Sequence, residues 1–183
     1  MSTVRTNEIN TITGKPILNS SGSVIQTVYV RSDAFTAYSA AVSGDGTTVS
    51  ALSASITPTK ETNRIICNWI ICGEVPADAV WLIHRNGFLI TTAGEEGRNS
   101  ISNNRWVGFA PTPYDVDVAS TPYSLRIQYS QIADTTSTIT YSPAIRSSSA
   151  TASTFYLNRT INNAGVDQYE NAVSTCVLYE IVV

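Results

Sequence analysis

The chain has 183 residues, 11 Lys+Arg against 14 Asp+Glu for a net charge of −3, and 43% hydrophobic against only 14% charged residues. That length suits one domain with an appended segment, and a domain of about 150 residues buries roughly two thirds of its unfolded surface, so a core forms without metal or disulfide staples. The acidic balance offers no cluster of Lys and Arg to neutralise a phosphate backbone, which argues against nucleic-acid binding. No run approaches the roughly 20 apolar residues of a membrane-spanning helix.

Residues 1–19, MSTVRTNEINTITGKPILN, carry Ile9, Ile12, Ile17 and Leu18 among Thr6, Asn7, Glu8, Asn10, Thr11, Thr13 and Lys15. A segment so thin in apolar side chains cannot offset its own ordering entropy, so its hydrophobic partner lies elsewhere. It reads as an arm over 1–22 that docks through Ile9, Ile12, Ile17 and Leu18, with a head over 23–183. A strand packed on its own domain is the plain alternative. The basic-then-apolar pattern of a secretory signal is lacking, so synthesis in a host cytoplasm is expected.

Thr6-Asn7-Glu8-Ile9, then Thr13-Gly14-Lys15-Pro16-Ile17-Leu18-Asn19, then Ser20-Ser21-Gly22-Ser23-Val24-Ile25-Gln26 resembles the opening of small tail-fibre-like and virion-surface structural proteins of tailed bacteriophages, of marine or cyanobacterial type. The resemblance covers about the first tenth to seventh of the chain. It implies that the opening stretch ties a subunit to the particle, that a compact β domain follows, and that the protein resides in the virion.

Beyond the arm, strand patterns recur and no stretch shows a capped helical stripe. Val24 to Arg31 is an apolar-rich run, and Ser43-Gly44-Asp45-Gly46 marks a turn. Leu52 to Thr57 alternates up to Pro58, which has no N–H for a ladder. Arg64 to Cys72, nearly all apolar but interrupted by Asn68, suits a central strand covered on both faces or at a subunit contact. Val80 to Ile90 with Asn86-Gly87 in its middle predicts a type I′ hairpin.

Thr91 to Ser120 reads as loop around the short run Arg105 to Phe109. Ser124 to Ser130 alternates, with Leu125, Ile127 and Tyr129 on one side and Arg126 and Gln128 on the other. Ser137 to Tyr141, Ala152 to Arg159 and Ser174 to Val183 complete about eight to ten strands, a count that predicts an all-β sandwich or jelly roll. The chain finishes on Ile181-Val182-Val183 with no polar tail, so this end is expected inside a sheet. Trimeric jelly-roll heads similar to the complement C1q and tumour necrosis factor folds end in that way. The similarity implies a homotrimer with Leu178, Ile181 and Val183 at the subunit interface.

Catalytic groupings are scarce. The one histidine, His84, precedes the Asn86-Gly87 turn and reads as a hydrogen-bonded strand residue. Cys67, Cys72 and Cys176 match no zinc spacing and read as small buried hydrophobes. Glu95-Glu96 and the pair Asp115 and Asp117 lack the further oxygens of a calcium loop. No nucleophile elbow, P-loop or dinucleotide fingerprint appears. The expectation is a non-enzyme with no cofactor and no metal.

Among the aromatics, Trp69 and Trp81 sit in apolar strands and read as core, while Trp106, Tyr114 and Tyr123 are the candidates for stacking on a saccharide. The leading expectation is a virion structural protein, a tail-fibre-like subunit whose trimeric head contacts other virion proteins or a host surface glycan or protein. A capsid decoration or neck protein is the alternative within that class, and a carbohydrate-binding module the alternative outside it.

Overall fold

The computed structural model describes residues 20–90, 106–113, 117, 121–163 and 169–183. These residues form β1 (Val24–Ser32), β2 (Ala37–Ala40), β3 (Thr47–Thr48), β4 (Ala54–Ile56), β5 (Arg64–Glu74), β6 (Ala79–Arg85), β7 (Phe88–Leu89), β8 (Ala110–Thr112), β9 (Tyr123–Ile132), β10 (Ile139–Ser147), β11 (Ser153–Leu157) and β12 (Ser174–Ile181). A single 3-10 turn, Ser50–Leu52, is the one helical element among them.

All strand pairings between these elements are antiparallel, and they build two sheets. In the first, β12 runs along one edge of β5 over Arg64–Ile70, with β1 beyond it, and β9 runs along the other edge over Arg64–Gly73. Past the end of β12, β11 pairs with Gly73 and Glu74 and carries β2. In the second, β10 is central: β6 takes one edge, β3 and β4 the other, and β7 and β8 share the far edge of β6. The chain passes from sheet to sheet between β2 and β3, β4 and β5, β5 and β6, β8 and β9, β9 and β10, and β10 and β11. That winding makes the expected sandwich of jelly-roll type.

The core forms because alternate residues of each strand turn inward. Ile65, Cys67, Trp69 and Ile71 of β5, Ile127 and Tyr129 of β9, and Cys176 and Leu178 of β12 meet Ala54, Ile56, Trp81, Ile83, Ile139, Tyr141 and Ile145 of the opposite sheet. Trp69 and Trp81 are fully buried. The Trp69 indole donates to Leu52 O at 3.0 Å, and Trp81 stands edge-on to Phe155 with ring centroids 5.0 Å apart. Cys67 and Cys176 lie in this core and Cys72 is half-buried, all as free thiols; burial pushes the Cys176 thiol up to about 12.

Asn86 and Gly87 have φ of 52° and 83°, as a type I′ turn requires, and join β6 to β7. The second sheet departs from the sequence reading at β10, which continues six residues past Tyr141, through Pro143 to Ser147. The Pro143 carbonyl accepts from Val49 N at 2.8 Å. Its nitrogen therefore faces the same edge, at the gap that the 3-10 turn opens between β3 and β4, and no ladder donor is missed. The strand expected from Leu52 begins at Ala54 because Leu52 belongs to that turn. On β5 only the inner face is covered among the described residues, with Ile70 39% exposed, so of the two expectations for this run, cover on both faces within its own domain is not met.

Two positions are tightly constrained. At Gly73, where β11 meets β5, a Cβ would stand 2.6 Å from the Phe155 ring and closer still to Tyr156 O. Gly73→Ala is expected to cost about 1–3 kcal/mol through overpacking, visible as a lower urea midpoint; an unchanged midpoint would refute the tight contact.

Glu180, on β12 but facing inward, is fully buried and ties three segments together. Its Oε1 accepts from Thr59 N, Thr59 Oγ1 and Asn63 Nδ2, each at 2.7 Å, and its Oε2 accepts from the Gln26 amide at 3.1 Å once that amide is oriented by its neighbours. Burial alone would push this carboxyl up, but the donors from Asn63, Thr59 and the Lys60 backbone outweigh it and hold it below the usual value. Such a group stabilises the fold above its unfolded pKa, about 4.3, and the contribution is lost as pH falls through the lower folded value. Glu180→Gln should therefore lose about 1.5–3 kcal/mol near neutrality and flatten the acid limb of stability against pH; parallel acid limbs in the two proteins would contradict this.

Candidate functional site

The outward faces of the two sheets differ. On the second sheet Val80, Leu82 and Ala144 form a small satellite core with Leu89 and Trp106. The loop from Val42 to Gly46 straps across the same face: Arg146 donates to Gly44 O and, at 2.6 Å, to Val42 O, while His84 bonds Asp45 O through Nε2 and Thr48 Oγ1 through Nδ1, each at 2.8 Å. His84 is thus a buried structural residue, matching its reading as a hydrogen-bonded strand histidine.

On the first sheet the outward positions of β1, β12, β5 and β9 remain open to solvent. Cα partners run in rows across these strands. One row is Tyr29, Val177, Asn68 and Gln128; the next is Arg31, Thr175, Ile70 and Arg126. A shallow hollow of about 340 Å³ lies over Asn68, Ile70, Arg126 and Gln128 and is closed on the β12 side by Thr175, Val177 and Tyr179. Tyr29 stands at its margin, 60% exposed.

None of the residues lining the hollow is a carboxylate; Glu74, at the same phase at the far end of β5, is buried and accepts from Ile161 N at 2.8 Å, while Arg31, Arg64 and Arg126 all point outward. Arg31 pairs with Asp33 at 2.9 Å, holding that carboxyl below its usual value, and Arg64 donates to Ser130 Oγ at 3.3 Å. Among the described residues Arg126 makes no ion pair, and the Asn68 and Gln128 amides make no hydrogen bond.

A second feature is the pole where the described head begins and ends. Gly22 N donates to Val182 O at 2.7 Å and Val182 N to Ser23 O at 3.0 Å, so the two ends leave side by side. Around them Val24 and Val183 are exposed and Ile181 is half-exposed, with exposed Ile132 one strand further on beyond Arg64, so that this end of the sandwich is mostly apolar.

The residues singled out from the sequence fall in several places. Ile9, Ile12, Ile17, Leu18 and Tyr114 lie outside the described residues. Trp106 is half-buried on the second sheet, and the Arg146 guanidinium covers one face of its ring at 3.5 Å from the centroid. Tyr123 packs against the main core between the sheets, where burial raises its hydroxyl pKa. Trp106 and Tyr123 therefore lie on opposite sides of the second sheet and make no common stacking surface. Leu178 is corrected as an interface residue: its side chain is wholly consumed by the core of its own subunit, because alternation turns it inward. Ile181 and Val183 do reach the surface, at the pole.

The hollow was not singled out from the sequence, although the outward phase of Ser124 to Ser130 and the Asn68 interruption of an apolar run were its signals. Among the described residues no group of three or more His, Cys, Asp and Glu gathers into a metal-holding cluster.

No family model matches the chain. No curated protein matches it either. Among solved structures the chain is similar to one in the structure of infectious bursal disease virus Gx strain, at 14% identity and a TM-score of 0.40, covering 98% of this chain and 42% of that one, a likeness too loose to carry a functional argument.

Proposed function

We propose that the protein is a non-enzymatic structural subunit of a virion, tail-fibre-like, whose arm docks it to the particle and whose β head assembles with copies of itself, as a trimer, and faces outward for host or virion contacts. The observation that carries this reading is the apolar pole. Val24 and Val183, 54% and 63% exposed, lie with Ile181 where residues 22–24 meet 181–183, with Ile132 beyond Arg64 in the same row, and exposed apolar side chains grouped in this way are characteristic of surfaces that a partner covers. Residue 20, where the described residues begin, lies at the same pole, which supports attachment at that end.

The low charge and hydroxyl-rich strands favour the same reading, and the resemblance of residues 6–26 to tail-fibre-like openings gives it its particle. A decoration or neck subunit would share the pole and differ only in its neighbour.

Light scattering at on the order of ten micromolar protein should give the mass of a trimer for the full chain, and Val24→Asp combined with Ile132→Asp should reduce it to monomer with the circular dichroism of the strands retained. Deleting residues 1–19 should leave a folded oligomer that no longer enters particles. A monomeric wild-type protein, or a truncated protein that incorporates normally, would overturn the reading.

A further inference from the structure

We propose that the outward face of the β1, β12, β5 and β9 sheet binds an anionic saccharide, centred on the hollow over Asn68, Ile70, Arg126 and Gln128. The inference rests on the head being an outward-facing recognition module, while subunit contact lies at the pole, so the two readings fail separately.

Chemistry at the hollow selects the ligand class. The site lies over the middle of a sheet, where β12 and β9 already use both backbone edges of β5; a ligand here is read by side chains, unlike a peptide that adds as a strand to a sheet edge. Asn68 and Gln128 are Cα partners on adjacent strands, about 5 Å apart. Their two amides offer paired donors and acceptors to neighbouring hydroxyls of one sugar ring. Thr175 and Tyr179 border the same hollow, each with a hydroxyl to add.

Ile70 and Val177 make an apolar floor between these polar groups, suited to the C–H face of a pyranose, with Tyr179 as a wall. Arg126 stands next to Gln128's row and has no anionic partner among the described residues, which leaves its planar fork for a carboxylate or sulfate. Arg31 lies in the same row three strands away and is already met by Asp33, and Arg64 lies six residues along β5 from Ile70, so the charge at the hollow is that of Arg126, with no carboxylate among the residues that line it. A pocket with an apolar floor and a few convergent, uncommitted polar groups is the usual form of a ligand site.

The test uses the full-length protein with three anionic probes (trigalacturonate, a heparin-derived tetrasaccharide and sialyllactose) and two controls (neutral maltotriose and hexaglutamate). Binding is read by titration calorimetry and by amide shift changes in nuclear magnetic resonance. At least one anionic probe should bind, with shifts centred on β5, β9 and β12. Arg126→Ala should weaken it at least about tenfold, Arg126→Lys should lie between, and Asn68→Ala with Gln128→Ala should each weaken it several-fold, all with unchanged thermal midpoints because these side chains sit on the surface. Lys60→Ala, at the other end of the head, should leave affinity unchanged.

Absence of binding by all three probes, equal binding of maltotriose, tighter binding of hexaglutamate, or shifts lying off this face would each overturn the proposal. Light scattering on the same samples reads assembly independently: a monomer that still binds the saccharide removes the pole reading and leaves this one standing.

Discussion

Along β5, Ile65, Cys67, Trp69 and Ile71 turn to one side and Ile66, Asn68 and Ile70 to the other, because side chains on a strand alternate with a period of two. The inner set is fully buried and meets the second sheet. A slip of one residue would carry Asn68 into the core and Trp69 into water, so the register of this strand against β12 and β9 is fixed by burial. Everything else is arranged around that choice: β12 and β9 inherit their phase from β5, and the polar and cationic residues at their outward positions are gathered onto one surface.

The ends of the molecule follow from the same pairing. β12 lies between β1 and β5, so the final strand is an interior member of the sheet, and the beginning of β1 is brought beside the end of β12. Glu180 locks that corner from inside by accepting from Thr59 and Asn63. This buried carboxylate is tolerated because its charge is met by several donors. The apolar side chains of Val24, Ile181 and Val183 lie just outside that corner.

Strands of clear phase are legible in the residues alone. Ser124 to Ser130 declared its inner and outer sides, Asn86-Gly87 declared its turn, and the apolar final residues declared a strand held in a sheet. Those features depend on local alternation and on backbone angles that few residues accept. What escaped depended on distant partners. The strand expected over Ser137 to Tyr141 stopped short of Pro143, and only the gap between β3 and β4 makes that proline harmless within the longer β10. The two-residue β3 has too few residues to carry a pattern.

Trp106 looked available for stacking, yet Arg146, forty residues later, covers it. Leu178 looked like a contact residue as part of an apolar terminus, although its phase on β12 makes it core and leaves Val177 and Tyr179 outside. The residues around the hollow are scattered over three strands that are far apart in the chain, so they had no common motif. Only the pairing of β12, β5 and β9 assembles them.

Electron cryo-microscopy of the assembled protein tests the central claim most directly, because it sees the pole and the sheet face in one image. The account predicts that Val24, Ile132 and Val183 are enclosed by neighbouring subunits or by the particle while Asn68, Arg126 and Gln128 look outward into solvent. A reconstruction in which the β1, β12, β5 and β9 face is sealed between copies and the pole stands free would contradict it.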